Sequence, residues 1–268
     1  MIKYQDLRSK NYEYRANAEK NFEFDIYNWR SSPYSCFKAR IYIELSTLFA
    51  FFLQSTSLTA NHISLIYCIS GAIAGLFLSS NIESLMIVGL LIFFLKNSLD
   101  WTDGFIAKIK NEKTAIGHIL DTWGSHIGEI SLMTSIGIYC YNFTNNSFYL
   151  ILTILILFFK AIDFKFFSFH QLFYELLNEK KKFKIGFYKD ENEIKKKDNL
   201  FVVFLKNFMD NKARTVDLVC LLIFLEIFYN IDYFSKFIFG LYFVKSIVLF
   251  FGFFYVYYFT DKLEKNIK

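Results

Sequence analysis

The chain has little proline, and its few cysteines follow no pattern. Pro33 is the single proline among 268 residues, of which 54% are hydrophobic and 21% aromatic. This composition departs from that of an ordinary soluble domain toward that of a helical membrane protein. Neither metal-ligand nor disulfide spacing is present, so we expect four buried thiols, at Cys36, Cys68, Cys140 and Cys220.

The first forty residues lack an apolar core, and we therefore expect no cleaved signal peptide. Six later stretches are apolar, which predicts an all-α integral membrane protein with six transmembrane helices. A spanning helix needs about 20 mainly apolar residues, and some of these stretches are shorter. We therefore expect polar flanks such as Lys96–Asp100 to continue the same helices, with their side chains facing an internal cavity. The stretches are Ile63–Ser79, Leu85–Leu95, Ile116–Tyr141, Phe148–Phe159, Val216–Tyr229 and Phe237–Phe259.

Lysine and arginine are missing from every second connection between these helices. The connections without them are Ser80–Ser84, Asn142–Ser147 and Asn230–Ser235, whereas 28 of the 30 basic residues lie in or beside the alternate segments. The positive-inside rule then predicts that both termini are cytoplasmic, as expected in a bacterial inner membrane or a plasma membrane. The net charge of +5 describes a surface that meets anionic lipid head groups, and it requires no nucleic acid.

Ile41–Leu58 is apolar but is interrupted by polar residues such as Glu44 and Gln54. A seventh span here would place the N-terminus on the wrong side of the membrane, so we predict an interfacial helix on the cytoplasmic leaflet. The predicted segments are a cytoplasmic N-terminal part with the interfacial helix (1–58), the six-helix membrane domain (59–260), its lysine-rich cytoplasmic insertion between helices 4 and 5 (171–212) and a cytoplasmic tail (261–268).

Three aspartates occur where the second and third predicted spans meet the cytoplasm. Asp100 and Asp103 are about 60° apart around a helix, and Gly104, Ala107 and Lys108 extend the same stripe. After a polar break, Thr114 can cap a new helix on which Gly117 and Asp121 share a face. Folding the second helix back on the first brings Asp121 toward the other two acids.

Acidic residues inside membrane helices usually face a cavity, a partner or an ion. A site with oxygen ligands alone favours Mg²⁺ or Mn²⁺. The absent or small side chains at Gly104, Ala107 and Gly117 leave room for a flat nucleotide. Lys108 would supply a point cation for a diphosphate. A divalent-cation transporter could use the acids, but it would not explain the small residues and the lysine beside them.

The pattern resembles the signature of the CDP-alcohol phosphatidyltransferase family: Asp, two residues, Asp-Gly, two, Ala-Arg, eight, Gly, three, Asp, three, Asp. Thr59-Ala-Asn61-His-Ile-Ser64 also resembles the family's Thr-Pro-Asn-x-x-Thr segment before the first span. The matching positions, with every interval kept, are Asp100, Asp103, Gly104, Ala107, Gly117 and Asp121.

The resemblance implies an enzyme that uses two divalent ions, Mg²⁺ or Mn²⁺, in a cytoplasm-facing cavity. An acceptor hydroxyl attacks the phosphorus of a CDP-alcohol donor, which releases CMP and forms a phosphodiester of a phospholipid or a related membrane product. If the roles of the family's motif positions apply to the matching residues here, Asp100, Asp103 and Asp121 would bind metal. The CDP site would then be lined by Gly104, Ala107, Lys108 and Gly117.

Two positions depart from the family pattern. Lys108 stands in place of the arginine. The positive charge is kept, but the planar guanidinium that can bind a phosphate through two N–H groups is lost. Ser125 stands where the family has its fourth aspartate, the residue expected to bind the second metal and accept the acceptor's proton. Ser125 itself and its neighbours His126 and Glu129 are the competing candidates for that base.

The missing fourth acid leaves a second hypothesis open, a non-catalytic relative that binds CDP and metal and has a structural or regulatory role. The sequence does not distinguish the donor alcohols or name the acceptor. The resemblance is compatible with a homodimer, although no interface can be read from the residues.

Overall fold

The computed structural model describes residues 2–20, 26–27, 29–30, 33–112, 114–162 and 216–259, without the side chains of 17–20, 115 and 252–259. Every regular element in these ranges is a helix. The chain divides into two compact units, Met1–Leu132 and Met133–Lys268, and the division falls inside a helix. The helices are α1 (Tyr4–Lys20), α2 (Pro33–Leu53), α3 (Ala60–Leu78), α4 (Glu83–Ile109), α5 (Ala115–Thr144), α6 (Phe148–Ile162), α7 (Val216–Tyr229) and α8 (Phe234–Phe259).

Three of the described helices are long and apolar enough to cross a membrane, namely α3, α4 and the part of α8 from Phe234 to Phe251. The helix α6 is apolar but shorter. The helix α5 is 30 residues long, and polar residues such as Asp121 and Glu129 lower its hydropathy. All six predicted stretches are helical, whereas the complete six-span arrangement stays a prediction.

Local signals set the helix ends around the first span and around α5. Thr59 precedes α3, and its amide donates to His62 Nδ1 at 3.2 Å. Thr114 precedes α5, and its Oγ1 accepts a hydrogen bond from the Gly117 amide at 3.0 Å. The predicted cap at Thr114 is therefore confirmed. Between α4 and α5, Asn111 has φ 56, the left-handed backbone that lets a helix end and the chain turn.

Glycines allow α3 and α5 to approach closely in the first unit. A Cβ added to Gly71 would lie 3.1 Å from Gly128 Cα, and one added to Gly75 would lie 2.8 Å from Ser131 Cβ. The helix that approaches α3 closely at Gly71 and Gly75 is therefore α5. Backbone proximity of this kind strengthens van der Waals contact where lipid supplies little hydrophobic drive.

A helix occupies the segment predicted to be interfacial, but the predicted bounds, Ile41–Leu58, are wrong. Its place at the membrane surface stays a prediction. The observed α2 begins at Pro33, a residue suited to the first turn of a helix because it has no amide hydrogen to leave unpaired. It ends at Leu53, whose carbonyl oxygen accepts the Thr56 hydroxyl at 2.8 Å. The residues up to Leu58 form turns and bends instead.

The N-terminal helix α1 had no counterpart in the sequence prediction, and it packs on the other helices of its unit. Leu7 is fully buried in one cluster with residues of α2, α3 and α4, including Ile63 and Phe105. The buried Asn11 amide donates to Ser46 Oγ at 2.9 Å and to Thr47 Oγ1 at 3.0 Å. An apolar side chain and a buried amide thereby help to fix a mostly polar helix to the other helices of its unit.

The second unit contains α6, α7 and α8. Glu226 in α7 accepts the Ser235 amide at 2.6 Å and the Ser235 hydroxyl at 2.5 Å. This acid therefore satisfies donors at the N-terminal turn of α8. The lysine-rich insertion at 171–212 and the tail at 261–268 lie outside the described residues.

Candidate functional site

The helix α4 runs without a break through the polar segment that follows its apolar half, as the sequence predicts. It carries Asp100 and Asp103, and α5 returns beside it with Asp121. The carboxyl groups of Asp100 and Asp121 lie close enough to share a hydrogen bond. The structure therefore brings together two acids that are separated by the turn between the helices.

Asp103 is held by a different partner. The Ser64 hydroxyl on α3 donates to Asp103 Oδ2 at 2.5 Å, and Asp103 is only 7% exposed. Its carboxylate is near enough to Asp100 for the two charges to interact. Ser64 belongs to the segment that resembles the family's entrance motif, so that segment supplies a hydrogen bond to one of the predicted metal ligands.

The chemistry of the Asp100 and Asp121 pair fits a hard divalent cation. Two adjacent carboxylates in a low-dielectric interior repel each other unless a proton or a cation lies between them. Oxygen donors alone suit Mg²⁺ or Mn²⁺. Within the part of the chain that the structure describes, no three His, Cys, Asp or Glu side chains are grouped so that they could hold an ion. The three-acid ligand set thus stays a prediction.

The predicted nucleotide-lining residues do not share one environment. Gly104 faces α1, where the Tyr14 hydroxyl lies 3.5 Å from the position of an added Cβ. Lys108 is exposed, and its Nζ lies 4.6 Å from the centre of the Tyr14 ring. Ala107 packs against the apolar cluster around Leu7. The open face of the motif is therefore the Gly104 and Lys108 side, with Tyr14 over it.

Gly117 lies at a contact between α3 and the start of α5. An added Cβ would stand 2.9 Å from Asn61 Oδ1, which also accepts the Thr114 hydroxyl at 3.1 Å. The absence of a side chain at Gly117 thus allows Asn61 to reach the capping residue of α5. This hydrogen bond ties the entrance segment before α3 to the helix that carries Asp121.

The three competing base candidates lie on α5, one and two turns beyond Asp121. Ser125 is half-buried, and its Oγ lies 3.2 Å from the Tyr67 hydroxyl on α3. His126 and Glu129 are both buried, at 5% and 3% exposure. Ser125, the first of the three candidates, is therefore engaged with a phenol.

Sequence reasoning missed several polar residues around this acid pair. The Lys96 ammonium lies 3.8 Å from the centre of the Tyr67 ring, and the end of its side chain runs against Gly128. Lys96 lies one helical turn before Asp100, and a lysine at that spacing in an apolar helix is a signal that could have indicated it. Arg15 and Tyr14 come from α1, and nothing in their local sequence indicates that they reach α4.

Residues 57–185 match the family model of CDP-alcohol phosphatidyltransferase. The chain contains a CDP-alcohol phosphatidyltransferase domain. The match confirms the resemblance and begins before the helix that carries Ser64 and Tyr67. Comparisons with curated proteins and with solved structures gave no match.

The CDP-alcohol phosphatidyltransferase domain includes both acids of the pair, and α1 lies before it. Members of this family transfer a substituted phosphate group from a CDP-alcohol in phospholipid synthesis. The departures from the family signature at Lys108 and Ser125, and their consequences, stay predictions.

Proposed function

We propose that this protein is a phosphotransferase that moves the substituted phosphate of a CDP-alcohol to an acceptor hydroxyl and releases CMP. The observation that carries the proposal is the meeting of Asp100 and Asp121, from two helices of the matched domain. The donor, the acceptor and membrane lipids are its partners, and the reaction takes place at the cytoplasmic end of the helices.

The charges at the site support a diphosphate donor. Asp100 and Asp121 would hold Mg²⁺ or Mn²⁺, and Asp103 would join them or orient the ion through its hydrogen bond with Ser64. When bound, the ions neutralise the diphosphate and stabilise the CMP leaving group. Lys108 adds an exposed cation on the open face of the motif.

In the proposed reaction, a new bond forms between the acceptor oxygen and the phosphorus, and the bond from that phosphorus to the CMP oxygen breaks. The acceptor's proton passes to a base on α5. His126 and Glu129 are the favoured groups. The hydroxyl of Ser125 stays protonated at neutral pH because it is a very weak acid, and a protonated hydroxyl is a poor base. Burial of both residues keeps bulk water from competing for that proton.

The test uses the full-length protein in detergent or nanodiscs with Mg²⁺ or Mn²⁺. A panel of donors would contain CDP-diacylglycerol, a CDP-amino alcohol and a CDP-polyol, each combined with a set of hydroxyl acceptors. We expect one donor class to give CMP in equal amount with a new phosphodiester, both measured by mass spectrometry. Absence of CMP release from every donor would contradict the proposal.

One observation favours the alternative, a non-catalytic relative that binds CDP and metal. Ser125 occupies the position of the fourth acid and is paired with Tyr67. A protein that binds CDP with Mn²⁺, releases no CMP and gains turnover on Ser125→Asp would be such a relative. Turnover by the unaltered chain would exclude it.

A further inference from the structure

The helix α1, which precedes the matched domain, lies against the open face of the acidic motif. Tyr14 is placed there by two contacts, the approach of its hydroxyl to Gly104 and the position of the Lys108 ammonium over its ring. The neighbouring residue, Arg15, reaches the same helix. The side chains of α1 therefore border the part of α4 where the donor's phosphates would lie.

The guanidinium of Arg15 is held in one orientation, but not all of its N–H groups are hydrogen-bonded. Its Nη2 donates to the carbonyl oxygen of Trp101 at 2.8 Å, and its guanidinium lies 4.3 Å from the centre of the Trp101 ring. The Nε of Arg15 is buried and has no hydrogen-bond partner among the described residues. Leaving a buried donor unpaired is unfavourable, so this nitrogen is suited to a ligand that supplies an oxygen.

The charge of Arg15 acts on the acids of the motif. Its guanidinium is near enough to both Asp100 and Asp103 for electrostatic interaction with each carboxylate. A planar guanidinium with a free donor, held on an aromatic ring beside a predicted metal site, has the geometry that favours bidentate phosphate recognition. Lys108, by contrast, offers a point charge where the family signature has arginine.

We propose that Arg15 binds the diphosphate of the CDP-alcohol donor and thereby supplies, from α1, the arginine fork that position 108 lacks. The inference rests on the proposed function, because it needs a nucleotide diphosphate in this site. It makes α1 part of the donor site, although α1 lies outside the residues that match the family.

The experiment measures two affinities of the full-length protein, for Mn²⁺ alone and for CDP at saturating Mn²⁺. The variant Arg15→Gln removes the charge and the fork, and Arg15→Lys keeps the charge alone. Arg8→Gln is the matched control, because Arg8 is on the same helix and pairs with Glu44 instead. Thermal unfolding of each variant accompanies the titrations.

We expect Arg15→Gln to weaken CDP binding about tenfold or more, since a hydrogen bond to a charged group is lost. Arg15→Lys should show a smaller loss, and Arg8→Gln should bind CDP as the unaltered chain does. If Arg15→Gln does not fold, the loss in Arg15→Lys decides, because that variant keeps the charge beside the acids.

A purely charge-balancing role of Arg15 predicts a different result. In that case Arg15→Gln would bind Mn²⁺ more tightly and CDP with unchanged affinity, which would overturn the inference and leave the proposed function intact. If the unaltered protein neither binds CDP nor releases CMP, the proposed function fails, and the role of Arg15 fails with it.

Discussion

The carboxyl groups of Asp100 on α4 and Asp121 on α5 lie within hydrogen-bonding reach of each other. Their helices are joined by a short turn in which Asn111 adopts a left-handed backbone. This relationship places two carboxyl groups from different helices beside each other, as the proposed metal site requires. It also determines which substitutions test the proposed chemistry.

Replacing either acid of the pair should abolish turnover without removing the fold. We expect Asp100→Asn and Asp121→Asn to lower the rate of CMP release by about a hundredfold or more, since a catalytic metal contributes several kcal/mol and each tenfold is about 1.4 kcal/mol. Asp6→Asn, at an exposed acid of α1, is the control and should keep the full rate. Equal rates in all three variants would reject the assignment.

The hydrogen bond from Ser64 to Asp103 predicts a change in metal affinity. Ser64→Ala removes a donor 2.5 Å from the carboxylate and should weaken Mn²⁺ binding about 10–100-fold, as expected for a group that orients a ligand. Ser70→Ala is the matched change, because the Ser70 hydroxyl donates to the Tyr67 carbonyl oxygen in the same helix. Titration with Mn²⁺ would measure both, and unaltered affinity in Ser64→Ala would show that Asp103 binds no metal.

The identity of the base can be decided by three single substitutions. We compare Ser125→Ala, His126→Asn and Glu129→Gln by kcat and its pH profile. Loss of a general base should lower kcat about 10²–10⁴-fold and remove one limb of that profile. We expect this loss in His126→Asn or Glu129→Gln and near-normal kcat in Ser125→Ala. Full turnover in all three variants would mean that the base lies elsewhere.

Close packing of α5 against α3 predicts a stability difference between two glycines. A Cβ at Gly124 would lie 2.2 Å from Tyr67 Cδ1, so Gly124→Ala should cost about 1–3 kcal/mol through overpacking. At Gly240 an added Cβ meets no described atom within 4 Å, so Gly240→Ala should be neutral or gain up to about 1 kcal/mol of helix propensity. Thermal unfolding in detergent measures the melting temperatures of both variants. Equal changes in melting temperature would show that the Tyr67 ring moves aside without cost.

The ion pair between α1 and α2 predicts a pH-dependent contribution to stability. Hydrogen bonds of 2.8 and 2.9 Å from Arg8 Nε lower the pKa of Glu44 below its usual value, and the Tyr12 hydroxyl at 2.8 Å acts in the same direction. The contribution is therefore fully present above about pH 4.5 and is lost as the pH falls through the lowered pKa. Because the pair is partly exposed, it contributes about 0.2–1 kcal/mol.

The measurement compares the melting temperatures of the unaltered chain and Glu44→Gln from pH 7 down to pH 3. The unaltered chain should melt higher at neutral pH, and the difference should vanish at the acidic end. A difference that stays constant over this range would show that Glu44 stabilises the helices by packing alone.

Much of the helical arrangement could be predicted from the sequence because its signals are local. Apolar runs and polar breaks located α3 to α8, and Thr114 indicated the start of α5. The helix α1 was missed because it has no long apolar run, and it depends on Leu7 and Asn11 packing against other helices. The bounds of α2 were missed because its apolar segment is shifted relative to the helix.

The sequence by itself determined the family and the order of the acidic motif, since these depend on which residues stand at fixed intervals along one chain. Only the tertiary structure decided that Asp121 meets Asp100, that Ser64 holds Asp103 and that Arg15 reaches Trp101. These contacts join residues on different helices, and they depend on how those helices pack against one another. No local pattern encodes that packing, which is why the polar surroundings of the site became visible only in three dimensions.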